Sequence, residues 1–317
     1  MERDNSPEQQ PGPVQPASQS SAQTASTQAS TDQANQFFTS APSISLPKGG
    51  GAIRGIGEKF TSNPVTGTGS MSVPIATSPG RAGFGPQLAL SYDSGAGNGP
   101  FGLGWTLSIP AITRKTDKGL PTYHDTEESD TFLHSGAEDL VPMLKEEDGQ
   151  WVSESLLPRT VGGVVYQIIR YRPRIEGLFA RIERWTNQSD PQDMFWRSIS
   201  KENGTSWYGK TSESRITDPS NPSHIFSWLL CETYDDKGQV MAYAYKEEDS
   251  DGINLSHVHE KNRTPETRSA QRYLKHIRYG NHSPYLPRLT ERDPWPTLPD
   301  DTAWLFQVVF DYGEHDQ

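Results

Sequence analysis

From residue 43 onward, the apolar residues of this chain come in short clusters that are separated by glycine and proline. The sequence contains 28 Gly and 25 Pro, and both residue types interrupt helices and favour the turns between short strands. No window of helical length keeps a 3.6-residue apolar period. We therefore predict an all-β fold of mainly antiparallel strands. The predicted strands are residues 70–76, 87–92, 105–112, 164–171, 179–185, 195–200, 225–234, 240–246, 273–279 and 304–312.

The first 42 residues have a different composition. They are rich in Gln, Ser, Thr, Pro and Ala, and no large apolar side chain occurs between Val14 and Phe37. Such a segment gains too little from burial to offset the entropy that it would lose on ordering. We predict a disordered leader over residues 1–42 and a β domain over residues 43–317. This segment is either a spacer without a partner, or it is a tether or a leader that an export machinery recognises.

Charge and hydropathy exclude several classes of function. The chain has 29 Lys and Arg against 40 Asp and Glu, a net charge of −11, whereas binding to nucleic acid or to an anionic membrane needs a cationic surface. No uncharged apolar run approaches the roughly 18 residues of a membrane-spanning helix. The N-terminus lacks a basic segment followed by an apolar one, so we expect synthesis in the cytoplasm without a cleavable signal peptide. The single cysteine, Cys231, lies in an apolar run and is expected to be a buried core residue.

Two glycine-rich stretches have some of the spacing of phosphate-binding loops. No helical apolar period follows the Pro47-Lys48-Gly49-Gly50-Gly51 stretch, and a later Gly-x-Gly-x-x-Gly contains Pro100 where a dinucleotide-binding motif needs a helix to begin. No cofactor is therefore expected. Instead, we predict that residues 93–104 form a glycine-rich bend between two strands, with Trp105 closing one end of the core.

The same stretches carry a family resemblance. Together with shorter matches that continue to residue 317, they resemble the SpvB family. That family comprises the N-terminal half of SpvB-type virulence proteins and the N-terminal region of the B component of insecticidal toxin complexes (Tc toxins). The motif residues that carry the resemblance are Pro47, Lys48, Gly49, Gly50, Gly51, Tyr92, Gly95, Gly97, Asn98, Gly102, Gly104 and Trp105.

The resemblance implies a structural role without catalysis. In Tc toxins the B component joins the C component in a hollow β shell with RHS/YD repeats, which encloses a toxic enzyme, and it docks this shell onto the pore-forming A component. The chain is thus expected to form part of such a shell, with the C and A components as partners of the full-length protein. It is expected to be secreted without inserting into a membrane itself. Because complete B components are longer, the resemblance also implies a fragment truncated at its C-terminal end.

A single YD-type hairpin is predicted at residues 233–240. Tyr234 is expected to pack on the sheet, Asp235 to stabilise the turn, and Gly238 to supply a positive φ. In the strand that follows, alternation places Met241 and Tyr243 on one face, together with Tyr245.

Two alternative functions stay open. SpvB-type toxins carry an ADP-ribosyltransferase in their C-terminal half, so the chain is alternatively the secretion or translocation module of such a toxin without its catalytic half. The Glu-x-Glu pair of that enzyme class does not occur in this sequence, and no catalytic motif replaces it, so no enzyme activity is expected. The other alternative is a carbohydrate-binding β protein, because the 8 Trp and 12 Tyr offer aromatic faces that stack on sugars.

Two clusters of polar residues are interpreted as surface. His257 and His259 would share one face of a strand, but no third metal ligand is evident, and no metal site is predicted. Arg170, Arg172 and Arg174 alternate along a strand. In this acidic chain we interpret them as a solvent- or partner-facing side rather than an RNA-binding face.

Overall fold

Antiparallel strand pairing accounts for most of the structure. The computed structural model describes residues 59–62, 67–135 and 139–313, and these contain 21 β-strands and one short α-helix. Every pair of strands is antiparallel, so the predicted all-β architecture is confirmed. In the described part of the chain, no helix is long and apolar enough to cross a membrane.

The elements, in chain order, are β1 (Lys59–Ser62), β2 (Gly69–Ile75), β3 (Leu88–Asp93), β4 (Asn98–Gly99), β5 (Gly102–Leu103), β6 (Trp105–Leu107), β7 (Ala111–Arg114), β8 (Phe132–His134), β9 (Asp139–Pro142), β10 (Leu144–Glu147), β11 (Gln150–Ser153), β12 (Ser155–Val161), β13 (Val164–Pro173), β14 (Arg181–Asn187), β15 (Met194–Ile199), β16 (Thr205–Tyr208), β17 (Arg215–Asp218), β18 (Asn221–Tyr234), β19 (Val240–Glu247), α1 (Pro265–Arg268), β20 (Arg272–Asn281) and β21 (Trp304–Val309).

Eight strands close into a barrel. Their order is β16-β15-β14-β13-β9-β8-β7-β18, and β16 pairs with β18 to complete the ring. Closure removes the free edges of these strands, and side chains alternate between the interior and the outer face. The interior is filled by the part of a buried cluster that includes Phe132, Tyr171, Trp196, Tyr208 and Trp228, and the same cluster continues to Tyr243 and Tyr279 on β19 and β20. The middle of the barrel is therefore a packed core and not a channel.

A second aromatic cluster covers the outer face of the barrel. It comprises Val161, Tyr166, Ile168, Trp185, Phe195, Trp207 and Cys231, with Trp295 packed against it. Trp295 lies in the connection between β20 and β21, residues 282–303, which we call the strap. Cys231 donates its S–H to the Trp207 carbonyl at 3.2 Å, and burial raises the pKa of the thiol to about 11. The expectation of a buried core cysteine is thus confirmed.

The barrel sheet continues beyond its closed ring. β19, β20 and β21 follow β18 in order, and no described strand pairs with the outer edge of β21. A separate four-stranded sheet has the order β1-β2-β3-β6. The predicted face of Met241 and Tyr243 is confirmed, because both are buried and Tyr245 packs against the same cluster.

The strand predicted at residues 105–112 is wrong, because it is two strands. β6 ends at Leu107 and pairs with β3 in the small sheet, whereas β7 begins at Ala111 and enters the barrel. Pro110 lies between them and has no amide to donate, so the ladder is interrupted there. Trp105 accordingly pairs with Tyr92 in the small sheet and is only half-buried, so it does not close the barrel core.

The other predicted strands are present, but their first or last residues differ from the prediction. The strand predicted from residue 179 begins at Arg181, because Phe179 has a φ of +49° and lies in the preceding loop. Several strands were not predicted from the sequence, because they are short or polar. They are β1, β8–β12, β16 and β17. The predicted leader, residues 1–42, and the motif Pro47 to Gly51 lie outside the described residues and remain predictions.

Candidate functional site

One end of the barrel is covered by the loop of residues 115–131, which joins β7 to β8. We call this end the barrel mouth. It is the end at which β7 and β14 stop and at which β15 and β18 begin, as the antiparallel registers require. The loop crosses the mouth because both of its flanking strands belong to the ring, and it brings a series of acidic residues over the barrel interior.

Arg114 fixes this loop from below. Its side chain is fully buried, and its Nη1 lies 2.7 Å from Asp125 Oδ1 and 2.8 Å from Asp130 Oδ2. Nη2 donates to the other oxygen of Asp125 at 2.8 Å, and Nε donates to the Ile225 carbonyl at 2.7 Å. The guanidinium also lies 4.7 Å from the centroid of the Tyr123 ring. Arg114 therefore ties the loop to β18 through several charge-assisted bonds.

Asp130 organises the middle of the same loop. It accepts the amides of Thr122 and Tyr123, each at 2.9 Å. Partial burial raises the pKa of Asp130, but these amides, the Thr122 hydroxyl and Arg114 together outweigh it, and the net pKa is lowered. Asp130 is thus an ionised, multiply bonded anchor at neutral pH.

A second buried arginine lies next to the first. Arg184 donates from Nη2 to Glu128 Oε1 at 2.6 Å and to the Asp125 carbonyl at 3.3 Å. The other oxygen of Glu128 accepts the hydroxyl of Tyr171 at 2.5 Å. Burial raises the pKa of Tyr171 well above its ordinary value, so this phenol stays a donor. The Nε of Arg184 is buried and has no hydrogen-bond partner among the described residues.

A cleft of about 640 Å³ opens beside this pair. Gln167 and Thr186 line it from the strands, Glu127 and Glu128 line it from the loop, and Arg184 lies on the same surface. The Tyr123 and His224 rings stack at one side, with centroids 4.4 Å apart and an interplanar angle of 9°. The cleft therefore combines hydrogen-bond donors and acceptors with a larger apolar surface, to which Ile169 and Met194 contribute, and it lies above the packed barrel core.

The sequence-predicted glycine bend lies elsewhere, in the small sheet. Tyr92 and Trp105 face each other across β3 and β6, with ring centroids 5.3 Å apart. Gly104 has a φ of +80°, and a Cβ there would lie 2.6 Å from the Tyr92 ring, so only glycine fits. Between these two residues, β4 pairs with β5, Asn98 with Leu103 and Gly99 with Gly102. Within the same bend, the Gly95 amide donates to Asp93 Oδ1, and the Gly97 carbonyl accepts the Gly104 amide. The bend predicted at residues 93–104 is confirmed, and none of these residues lines the cleft.

Residues 233–240, which were predicted as a YD-type hairpin, contain the turn between the antiparallel strands β18 and β19. Asp235 accepts the amides of Lys237 at 3.0 Å and Gln239 at 2.8 Å. Gly238 has a φ of +83°, and its Cβ position is 2.8 Å from Pro284 in the strap. Tyr234 packs edge to face against Tyr285, with centroids 5.7 Å apart. This turn is thus a structural contact between the sheet and the strap.

The polar clusters predicted as surface behave differently from one another. Arg172 and Arg174 are exposed as expected, whereas Arg170 is half-buried and pairs with Glu154 at 3.4 Å. His257 and His259 do not share a strand face, because a 3-10 turn forms from Val258 to Glu260. In the part of the chain with described structure, no group of three or more His, Cys, Asp or Glu is placed to hold a metal ion.

Sequence reasoning missed the two buried arginines of the mouth. Arg114 and Arg184 each occupy an inward position in a strand whose neighbouring inward residues, Ile112 and Ile182, are apolar. A charged residue in such a position needs a buried partner. An arginine among inward-facing apolar residues was therefore the sequence feature that could have indicated a buried ion pair. The partner loop could not be identified, because its acidic residues occur in a polar segment that looks like ordinary surface.

His134 provides a test of burial inside the barrel. Burial lowers the pKa of His134, which contacts the hydroxyl of Tyr208 at 3.1 Å. The unfolded chain therefore binds a proton more readily than the folded chain below pH about 6.5, and stability falls as the pH drops through that value. We expect His134→Asn to flatten the pH dependence of the free energy of unfolding between pH 7 and 5 by up to about 1.4 kcal/mol per pH unit. Chemical denaturation at both pH values measures this; an unchanged slope would contradict it. His124→Asn, on the exposed loop, is the control.

Comparison with known protein families connects this fold to virulence proteins. A family model described as "Salmonella virulence plasmid 65kDa B protein" (SpvB) matches residues 63–317. Two relatives named "Mono(ADP-ribosyl)transferase SpvB", from Salmonella choleraesuis (strain SC-B67) and Salmonella typhimurium, are 36% identical over 280 and 279 residues. These matches cover 85% of this chain and only 42% of each relative, so the chain spans less than half of their length.

Solved structures with the same fold come from two kinds of protein. The crystal structure of TcdB2-TccC3 matches with a TM-score of 0.68 at 34% identity, over 86% of this chain and 12% of that one. The N-terminal domain of effector protein SpvB from Salmonella typhimurium strain LT2 matches with a TM-score of 0.62 at 37% identity, over 73% of this chain and 69% of that one. A Photorhabdus luminescens Tc holotoxin pore matches with a TM-score of 0.66 at 35% identity, over 87% and 12% of the two chains.

Proposed function

The chain belongs to the SpvB family, and on that basis we propose that it is a non-catalytic structural and delivery module of a Tc-type toxin. In this role its sheet forms part of a β shell that encloses a toxic enzyme. Its partners, through the full-length protein, are the toxin C component and the pore-forming A component, and it acts after secretion. The structural likeness to TcdB2-TccC3 and to a Tc holotoxin pore supports this assignment.

The single observation that carries the proposal is the open end of the sheet at β21. Leu305 and Val309 are 50% and 47% exposed on one face of this strand. The indole N–H of Trp304, at its start, is buried and has no hydrogen-bond partner among the described residues. An apolar edge strand of this kind accepts a further strand readily. A shell wall is built by such strand addition, which a self-contained binding domain does not need.

A second candidate function is favoured by the likeness to the SpvB N-terminal domain. The chain matches 69% of that domain at 37% identity, and its relatives are named as ADP-ribosyltransferases. The chain is then the secretion or translocation module of such a toxin. In this case it would act as a self-contained domain on a tether, and its β21 edge would need no added strand.

The proposal is tested by exchanging the matching region of TcdB2 for residues 63–317 of this chain. The chimera is expected to assemble with TccC3 into one stable complex, measured by co-purification and size-exclusion chromatography. Adding Leu305→Lys and Val309→Lys is expected to abolish assembly, because charges at an edge block strand addition. Leu120→Lys is the matched control, since Leu120 is 90% exposed and lies in the loop of residues 115–131.

Two results would contradict the shell assignment. One is a chimera that folds but does not hold TccC3. The other is a chimera whose assembly is unaffected by the two edge lysines. If the isolated chain instead restores secretion when it replaces the N-terminal domain of SpvB, the second candidate is supported.

A further inference from the structure

The edge of β21 is open to pairing with a further strand. β20 pairs with one side of β21, and no described strand pairs with its other side. Unpaired edges are templates for another chain, and native proteins often block them with lysine, other charged residues or proline. None of these blocking residues occurs within β21, which consists of Trp, Leu, Phe, Gln, Val and Val. The edge therefore lacks the usual protection against pairing.

Both faces of β21 offer apolar side chains to a second strand. Phe306 and Val308 face the main core and pack against it partly buried. Leu305 and Val309 alternate with them on the opposite face and are 50% and 47% exposed. Gln307 is the polar residue of the strand, and it is uncharged. Two copies of a chain with a net charge of −11 repel each other on average, whereas two copies of this strand meet without like charges.

The sequence of β21 complements itself in one antiparallel register. In a twofold pair with a continuous sheet, one residue faces its own copy. When that residue is Gln307, Leu305 lies opposite the partner's Val309 on one face. On the other face, Phe306 lies opposite the partner's Val308. Such aliphatic and aromatic–β-branched pairs stabilise antiparallel sheets. A shift of the axis by one residue in either direction places Leu305 opposite a polar side chain instead.

We propose that two copies of this chain pair through β21 as a twofold dimer centred on Gln307, with a sheet that continues from one copy into the other. The dimer uses the edge on which the shell role proposed above also depends, and it regulates access to that edge. A partner strand binds only after the two copies separate. Six residues a side are fewer than the roughly 20–30 of a standard interface, so the dimer is weak and dissociates on dilution.

Sedimentation velocity of the full chain over a range of concentrations measures the association. We expect a monomer and a dimer in exchange, with a dissociation constant of about 1–100 μM. Leu305→Lys combined with Val309→Lys is expected to raise this constant about tenfold or more, because like charges then lie directly opposite each other. Leu305→Lys combined with Val309→Glu places opposite charges in the same pairs and is expected to restore dimerisation. Leu120→Lys is the control, because Leu120 is 90% exposed and lies outside β21.

Cross-linking tests the register. In Gln307→Cys the two new thiols face each other, with about 5 Å between the Cβ atoms, and a short thiol-reactive cross-linker should join the copies. In Val309→Cys the thiols lie about 14 Å apart along the strands and should not be joined. Adding Leu305→Cys to Val309→Cys creates close pairs and should restore the cross-link. The unmodified chain is the negative control, because Cys231 is buried and the pKa of its thiol is raised to about 11.

The results separate this dimer from the shell role. A chain that stays monomeric at all concentrations, while the chimera still holds TccC3, would overturn the dimer alone. A dimer with the expected cross-links, whose chimera does not hold TccC3, would overturn the shell role alone. Equal cross-linking of Gln307→Cys and Val309→Cys, or a double-lysine variant that dimerises as well as the lysine–glutamate variant, would show association without the stated register and would also overturn the dimer.

Discussion

Replacing Arg114 by methionine is expected to lower the free energy of unfolding by about 3–5 kcal/mol. The substitution removes a fully buried guanidinium and leaves the carboxylates of Asp125 and Asp130 beneath the loop without their cation. An uncompensated buried charge is more costly than the loss of a surface ion pair, whose contribution is about 0–1 kcal/mol. Chemical denaturation followed by circular dichroism measures the change.

The same substitution is expected to release the loop of residues 115–131. Limited trypsin digestion should then cleave at Lys118, which is exposed on this loop, at denaturant concentrations that leave the barrel folded. Arg172→Met is the matched control, because Arg172 is exposed on β13 and its loss should change stability by less than about 0.5 kcal/mol. Equal destabilisation by both variants would show that Arg114 does not act through its buried pairs.

Replacing Trp295 by alanine is expected to cost about 3 kcal/mol, the low end of the range for tryptophan truncation, because this ring is only partly buried. The ring contacts four aromatic residues of the outer face, with centroid separations of 5.4 to 6.0 Å. Its Nε1 also donates to the hydroxyl of Tyr166 at 3.2 Å. Loss of the ring uncovers this cluster and detaches the strap from the barrel.

Hydrogen exchange distinguishes release of the strap from a general loss of stability. The amide of Gly162 donates to Thr290 and the amide of Gly163 donates to Glu291, at 3.2 and 2.8 Å. Both amides should exchange faster in Trp295→Ala under native conditions, while amides of β14 and β15 keep their protection. Trp151→Ala is the control, because Trp151 is 67% exposed on the β10–β11 hairpin. Unchanged exchange at Gly162 and Gly163 would contradict the role assigned to the strap.

The mouth and the strap explain how one chain supports both a closed barrel and an open sheet. β18 belongs to both, because it pairs with β7 and β16 in the ring and with β19 beyond it. The strap returns from β20 across the outer face of the barrel before β21 begins, and Tyr285 bonds Glu232 on β18 at 2.7 Å. The barrel is thereby a rigid base for the sheet extension that carries the β21 edge.

Local features of this fold were predictable from the sequence alone. Alternation of large and small residues identified β19, glycine spacing identified the bend that ends at Gly104, and the Tyr234-Asp235 turn identified the hairpin. Each of these depends on neighbours within about a dozen residues, so the backbone preferences of glycine, aspartate and β-branched residues determine them. The buried environment of Cys231 followed for the same reason, from an apolar run.

Barrel closure and the barrel mouth depended on the tertiary structure. Arg114 bonds the Ile225 carbonyl 111 residues away, and Trp295 bonds Tyr166 across 129 residues. No periodicity within a segment encodes such pairs, because they follow from which strands become neighbours and from the order in which the ring closes. The division of residues 105–112 between two sheets has the same origin: Pro110 permits a break, but only the pairing of β6 with β3 and of β7 with β18 decides where each half lies.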